Sequence, residues 1–200
     1  MPKLFIDTNG TDDTQYAFMD AAGNKQFAST STVDLVDGTT STDIYQYEHA
    51  EISHGHLVAT IKWPSNTFRD PTLILYPDVD SGDTSRTTKL PLSTNHIKQS
   101  LNLVTKGHSR AHWRRIPQTD KLALFAGHTR EKRLIADECH RAGKRWLQIE
   151  GKPVHHCSIT DVEIVASWIA INKTNCQPKG LLSFALPRCF SKCFSLSNHS

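Results

Sequence analysis

The sequence predicts a mixed α/β or α+β fold, with a β-rich N-terminal half and helices in the C-terminal half. Three observations predict it. Residues 1–92 break into short segments that alternate apolar and polar residues between turn residues, the period of a half-buried strand. Residues 121–150 read as strand, helix, strand. Asp161–Asn172 carries apolar residues around much of its circumference, the pattern of a buried helix.

In chain order, Leu4-Phe5-Ile6 is a short strand ending on Asp7. A second strand spans Gln15–Asp20, and Ala22-Gly23-Asn24 turns into a third over Lys25–Ser29. Thr30–Thr42 is rich in Ser, Thr, Asp and Gly, with an apolar piece, Val33–Val36, closed by Asp37-Gly38. Strands follow over Asp43–Ile52, Leu57–Trp63 and Thr72–Tyr76. Pro91 demotes Thr87–Leu92 to an edge strand, because proline donates no ladder hydrogen bond. Ser93-Thr94-Asn95 offer capping oxygens to a short helix over His96–Val104. Lys121–Ala126 is a strand, Arg130 to about Arg141 a helix stopped at Ala142-Gly143, and Trp146–Glu150 a strand. Such a βαβ-like unit implies a parallel pair. Ser158 or Thr160 caps the last helix, and Gly180–Leu186 is a possible final strand. The chain reads as a single domain over 1–200, with 30–95 a β-rich elaboration and 187–200 a poorly ordered tail.

A hydrophobic fraction of 38% and a mean hydropathy of −0.44 exclude a membrane-embedded chain of helices, and no apolar run approaches a spanning length. No export signal is visible, and the five cysteines include no C-x-x-C pair. Reduced thiols in a cytoplasmic compartment are therefore expected. His155-His156-Cys157 with Cys176, Cys189, Cys193 and His199 lack the spacing of a structural zinc site.

Charge is unevenly distributed. Residues 1–100 carry 7 Lys+Arg against 13 Asp+Glu, and residues 101–200 carry 16 against 7. A basic half beside an acidic one suggests a polyanion partner. The candidate nucleic-acid-binding residues are Lys106, Arg110, Trp113, Arg114, Arg115, Arg130, Lys132 and Arg133. Their cations neutralise phosphates, and the indole can stack on a base.

The opening LFIDTNGTDDTQYAFMDAAGNKQFAS resembles the strand, turn and hairpin that open the ribonuclease H superfamily, where RuvC-like Holliday-junction resolvases end the first strand on a catalytic Asp. Ser158–Asn172, SITDVEIVASWIAIN, resembles their last helix, which opens on acidic residues. The resemblance implies a mixed ribonuclease H-like sheet and a metal-dependent nuclease acting on nucleic acid through a carboxylate cluster. It makes Asp7, Asp161 and Glu163 catalytic and metal-binding, with Glu48 the candidate second acid and Mg²⁺ the cofactor. The family's C-terminal pair is usually two aspartates three residues apart, whereas Asp161 and Glu163 are two apart. Two-metal chemistry needs carboxylates converging on ions roughly 4 Å apart. Glu150-Gly151-Lys152 offers a second nuclease arrangement of E-x-K type. The alternative is a non-enzymatic β-rich virion, assembly or nucleic-acid-binding protein, in which no carboxylates need converge.

Overall fold

The computed structural model describes residues 3–8, 15–48, 55–65, 70–77, 87–95, 100–119, 121–127, 133–150 and 159–176. Twelve antiparallel strands close into one barrel: β1 (Lys3–Thr8), β2 (Tyr16–Met19), β3 (Lys25–Val33), β4 (Thr40–Gln46), β5 (His56–Trp63), β6 (Thr72–Leu75), β7 (Thr88–Asn95), β8 (Ser100–Val104), β9 (Arg110–Ile116), β10 (Lys121–Ala126), β11 (Arg133–Arg141) and β12 (Lys144–Ile149). Each strand pairs with its neighbours in sequence, and β1 closes the ring against β12 with Leu4 opposite Leu147. The strands described between residues 30 and 95 are consecutive staves of this barrel.

Among the described residues one helix, α1 (Asp161–Cys176), follows the strands and runs through the lumen. The packing requires this placement. Trp168 meets Tyr16 and Phe18 of β2 edge-on, and its indole N–H donates to Glu138 of β11. Trp113 of β9 donates to the Ser167 hydroxyl at 2.8 Å, Arg145 of β12 donates to the Asn172 carbonyl at 2.7 Å, and Lys173 reaches Ser31 and Thr42 on β3 and β4. A helix bonded to walls on all sides lies inside them. Eight strands leave an interior that side chains alone fill, whereas twelve leave room for a helix some 10 Å across. That is why Ile164, Val165, Ala166, Trp168, Ile169, Ala170 and Ile171 are all buried.

The strands supply the matching lining. Phe18, Ile44, Ile61, Leu73, Leu92, Leu101, Trp113, Leu122, Leu124 and Leu147 point inward and are essentially inaccessible. Charged residues such as Lys62, Arg110 and Arg114 alternate outward, the reverse of the polar lumen and apolar belt of a membrane barrel. No described helix is long and apolar enough to cross a membrane.

This architecture corrects the ribonuclease H-like expectation and the mixed sheet that went with it: every pairing is antiparallel and the sheet has no edges. Two predicted helices are strands. Ser100–Val104 is β8, and most of Arg130–Arg141 is β11. The Ala142-Gly143 pair that reads as a helix stop is a hairpin turn, with positive φ at both residues (50° and 73°) and Arg141 opposite Lys144. That is the signature of a type I′ turn, which joins antiparallel strands. The parallel βαβ unit is therefore a β-meander. Pro91 lies within β7 of a closed sheet, opposite Thr72. The ladder to β8 runs only from Leu92 to Asn95, so the missing N–H falls where pairing stops. Gly180–Leu186 and the 187–200 tail lie outside the described residues.

Candidate nucleic-acid interface

Strand alternation decides which cations reach the surface. On β9, Ala111 and Trp113 are buried in the lumen, so Arg110, His112 and Arg114 face outward. Four residues of extended chain put Arg110 and Arg114 roughly 13 Å apart along one strand. On β10, Leu122 and Leu124 point in, and Lys121, Ala123 and Phe125 point out. Phe125 sits opposite His112, the rings stacked with centroids 5.6 Å apart, and the Arg114 guanidinium lies 4.4 Å from the Phe125 centroid. A guanidinium held over an aromatic ring is partly pre-positioned and loses less entropy on binding an anion. Outward from β9, Ser100 lies opposite Arg114 and Asn102 opposite His112, adding neutral hydrogen-bonding groups. Across β7–β12 the strands carry nine Lys or Arg and two Asp or Glu. One of those two acids, Glu138, is committed to the lumen.

The other predicted contacts divide. Lys106 lies in the β8–β9 turn, where its backbone N–H donates to Glu163 at 2.7 Å. Arg133 is exposed at the start of β11. Trp113 is wholly buried against α1, and Arg115 is half-buried on the lumen side, opposite Leu122. Neither presents itself to a ligand on the outer wall. Arg130 and Lys132 lie outside the described residues. The sequence-derived candidates omit Lys121 and Phe125. The signal was present in RAHWRRI and KLALFA, whose alternation separates the outward set from the inward one.

The predicted catalytic acids are dispersed. Asp7 is exposed on the outer side of β1, opposite Ala17 of β2. Asp161 is at the other end of the barrel, where it shares a cleft with Lys3 and Leu4; Asp7 lies roughly 10 Å further along β1 than Leu4. Glu48 is exposed beyond the end of β4. Glu163 is fully buried and already engaged. One oxygen accepts from Lys106 N, and the other accepts from the Thr160 backbone N–H at 2.8 Å and its hydroxyl at 3.0 Å. Thr160 in return accepts from Glu163 N at 3.2 Å. This is a capping box, and it gives Glu163 a structural task at the start of α1. Asp161 is exposed at the start of α1, and only partial desolvation there pushes its carboxyl upward. Among the described residues no group of three or more His, Cys, Asp or Glu could hold a metal ion. The E-x-K lysine, Lys152, and His155-His156-Cys157 fall outside the described residues.

Comparison with protein-family models, with curated proteins and with solved structures finds no match for this chain.

Proposed function

We propose that this barrel is a non-enzymatic nucleic-acid-binding module that holds the phosphate backbone on the outer wall formed by β8–β10. One observation carries this reading: Arg110 and Arg114 share the outward side of β9, and Arg114 is pre-oriented on Phe125. Lys121 extends the cationic surface, and Ser100 and Asn102 supply neutral contacts. Phe125 is already in contact with His112 and Arg114, so the wall favours backbone contacts over base stacking. Recognition of this kind is sequence-tolerant and driven by counterion release.

The metal-dependent cleavage implied by the first-strand Asp needs Asp7, Asp161 and Glu163 to share ions, and their placement favours binding without chemistry. Fluorescence anisotropy with labelled single-stranded and duplex DNA, run with EDTA and then with Mg²⁺, tests the proposal. The expected result is saturable binding that EDTA leaves unchanged and no strand cleavage with Mg²⁺. Absence of binding at low salt contradicts the proposal. Mg²⁺-dependent cleavage abolished in Asp7→Asn restores the enzyme.

A further inference from the structure

A second outward surface lies on β11, β12 and β1, with β10 between it and the Arg110–Arg114 strand. Ala136, Glu138, Leu147 and Leu4 point into the lumen, so alternation turns their neighbours outward. Strand pairing sets Phe5, Trp146 and Cys139 side by side in one row. Each is partly exposed, and the Phe5 and Trp146 ring centroids lie 6.0 Å apart.

Charges flank this row on both sides. Toward the end where α1 begins, Lys3, Gln148 and Asp137 stand level with one another. Beyond the row, toward the other end, stand Asp7, Lys144 and Arg141, all exposed. The signs are opposed: β1 runs from cation to anion across the row, and β11 runs from anion to cation. Four residues of strand keep Lys3 from Asp7, and Asp137 from Arg141, by roughly 13 Å. Among the described residues none of these four forms an ion pair. A row of weakly polar side chains between two charged rows of opposed sign is complementary to its own copy turned over.

We propose that two copies of this chain pair through this wall, about a two-fold axis that runs across the strands along the Phe5–Trp146–Cys139 row. The rotation exchanges the charged rows, so Lys3 meets the partner's Asp7, Asp137 meets the partner's Arg141, and Lys144 meets the partner's Gln148. Lys144 selects this axis, because a two-fold along β12 would set Lys144 against itself. The wall is three strands wide, roughly 15 Å across, so the contact is small and the dimer is expected to dissociate in the micromolar range. Pairing leaves Arg110 and Arg114 uncovered, so it stands whether or not nucleic acid binds there.

Sedimentation velocity of the full chain at low salt, from low micromolar to several hundred micromolar protein and without nucleic acid, tests it. The wild type is expected to pass from monomer to dimer over that range. Lys3→Asp and Asp7→Lys, each at an exposed position, should weaken the dimer at least roughly tenfold by setting like charges against each other. The double variant Lys3→Asp/Asp7→Lys restores opposite charges across the axis and should associate within about threefold of the wild type. Circular dichroism should be native in all three variants. A wild type that stays monomeric, assemblies larger than a dimer, single variants that pair like the wild type, or a double variant no tighter than the singles overturns the proposal.

Discussion

Glu138 is the most constrained carboxylate in the lumen. It accepts from Arg145 Nε and bonds His140 Nε2, both at 2.5 Å, and accepts from Trp168 Nε1 at 3.2 Å, tying β11, β12 and α1 together. Burial is the largest single influence on it and opposes ionisation. The bond and charge of Arg145, with the bonds from His140 and Trp168, together outweigh burial and hold its carboxyl below the ordinary range. A folded-state value depressed in this way contributes stability above the unfolded carboxyl's pKa and loses it as pH falls through the folded one. Urea unfolding should therefore show stability falling on acidification below about pH 4.5, and Glu138→Gln should flatten that fall. Glu138→Ala should cost roughly 3–5 kcal/mol, because it strands the Arg145 charge. Glu163 makes a parallel case. Glu163→Ala should cost about 3 kcal/mol by leaving the N–H groups of Thr160 and Lys106 unpaired, and Mg²⁺ should leave the unfolding midpoint of the wild type unchanged.

At the scale of elements, α1 is the plug on which the barrel is packed. Trp168→Ala removes the ring that Tyr16, Phe18 and Arg145 enclose, the last with its guanidinium 4.6 Å from the centroid. Its cost should be roughly 3–5 kcal/mol in denaturant midpoint. The β3–β4 turn is the contrasting element. Leu35 and Val36 are 94% and 96% exposed, and Asp34 and Asp37 fix the turn through bonds to the backbone N–H groups of Val36 and Thr39. Replacing both apolar residues by Ser should move stability by less than about 0.5 kcal/mol.

The elements legible in the sequence were those with a strong local signal. Leu57–Trp63 carries apolar residues at alternate positions, Thr72–Tyr76 is a short apolar run between turns, and α1 begins at Asp161 because Thr160 and Glu163 form its cap. Arg133–Arg141 was misleading because Leu, Ala, Glu and Arg favour helix locally, while the lumen rewards the alternation that buries Ala136 and Glu138. In the candidate site, Arg110 and Arg114 were legible from charge density alone. Trp113 was not, since an indole inside a basic run looks like a stacking platform until its neighbours' alternation assigns it to the core.

For the whole molecule, closure is what local sequence could not convey. Whether a run of hairpins ends as an open sheet or a barrel depends on β1 meeting β12, a pairing between chain positions some 140 residues apart. Closure also converts a charge difference along the chain into one around the barrel, because a meander lays successive strands side by side. The outward cations of the C-terminal strands, Arg110, Arg114 and Lys121 among them, thereby share one wall of the barrel, while Arg115 and Arg145 face the lumen. The central claim, that this wall binds nucleic acid through its phosphates, is tested most directly by the salt dependence of DNA affinity in the wild type and in Arg110→Ala/Arg114→Ala. The account predicts weaker binding in the double variant and a log–log salt slope shallower by roughly 2, one released counterion per lost phosphate contact. An unchanged slope and affinity would contradict it.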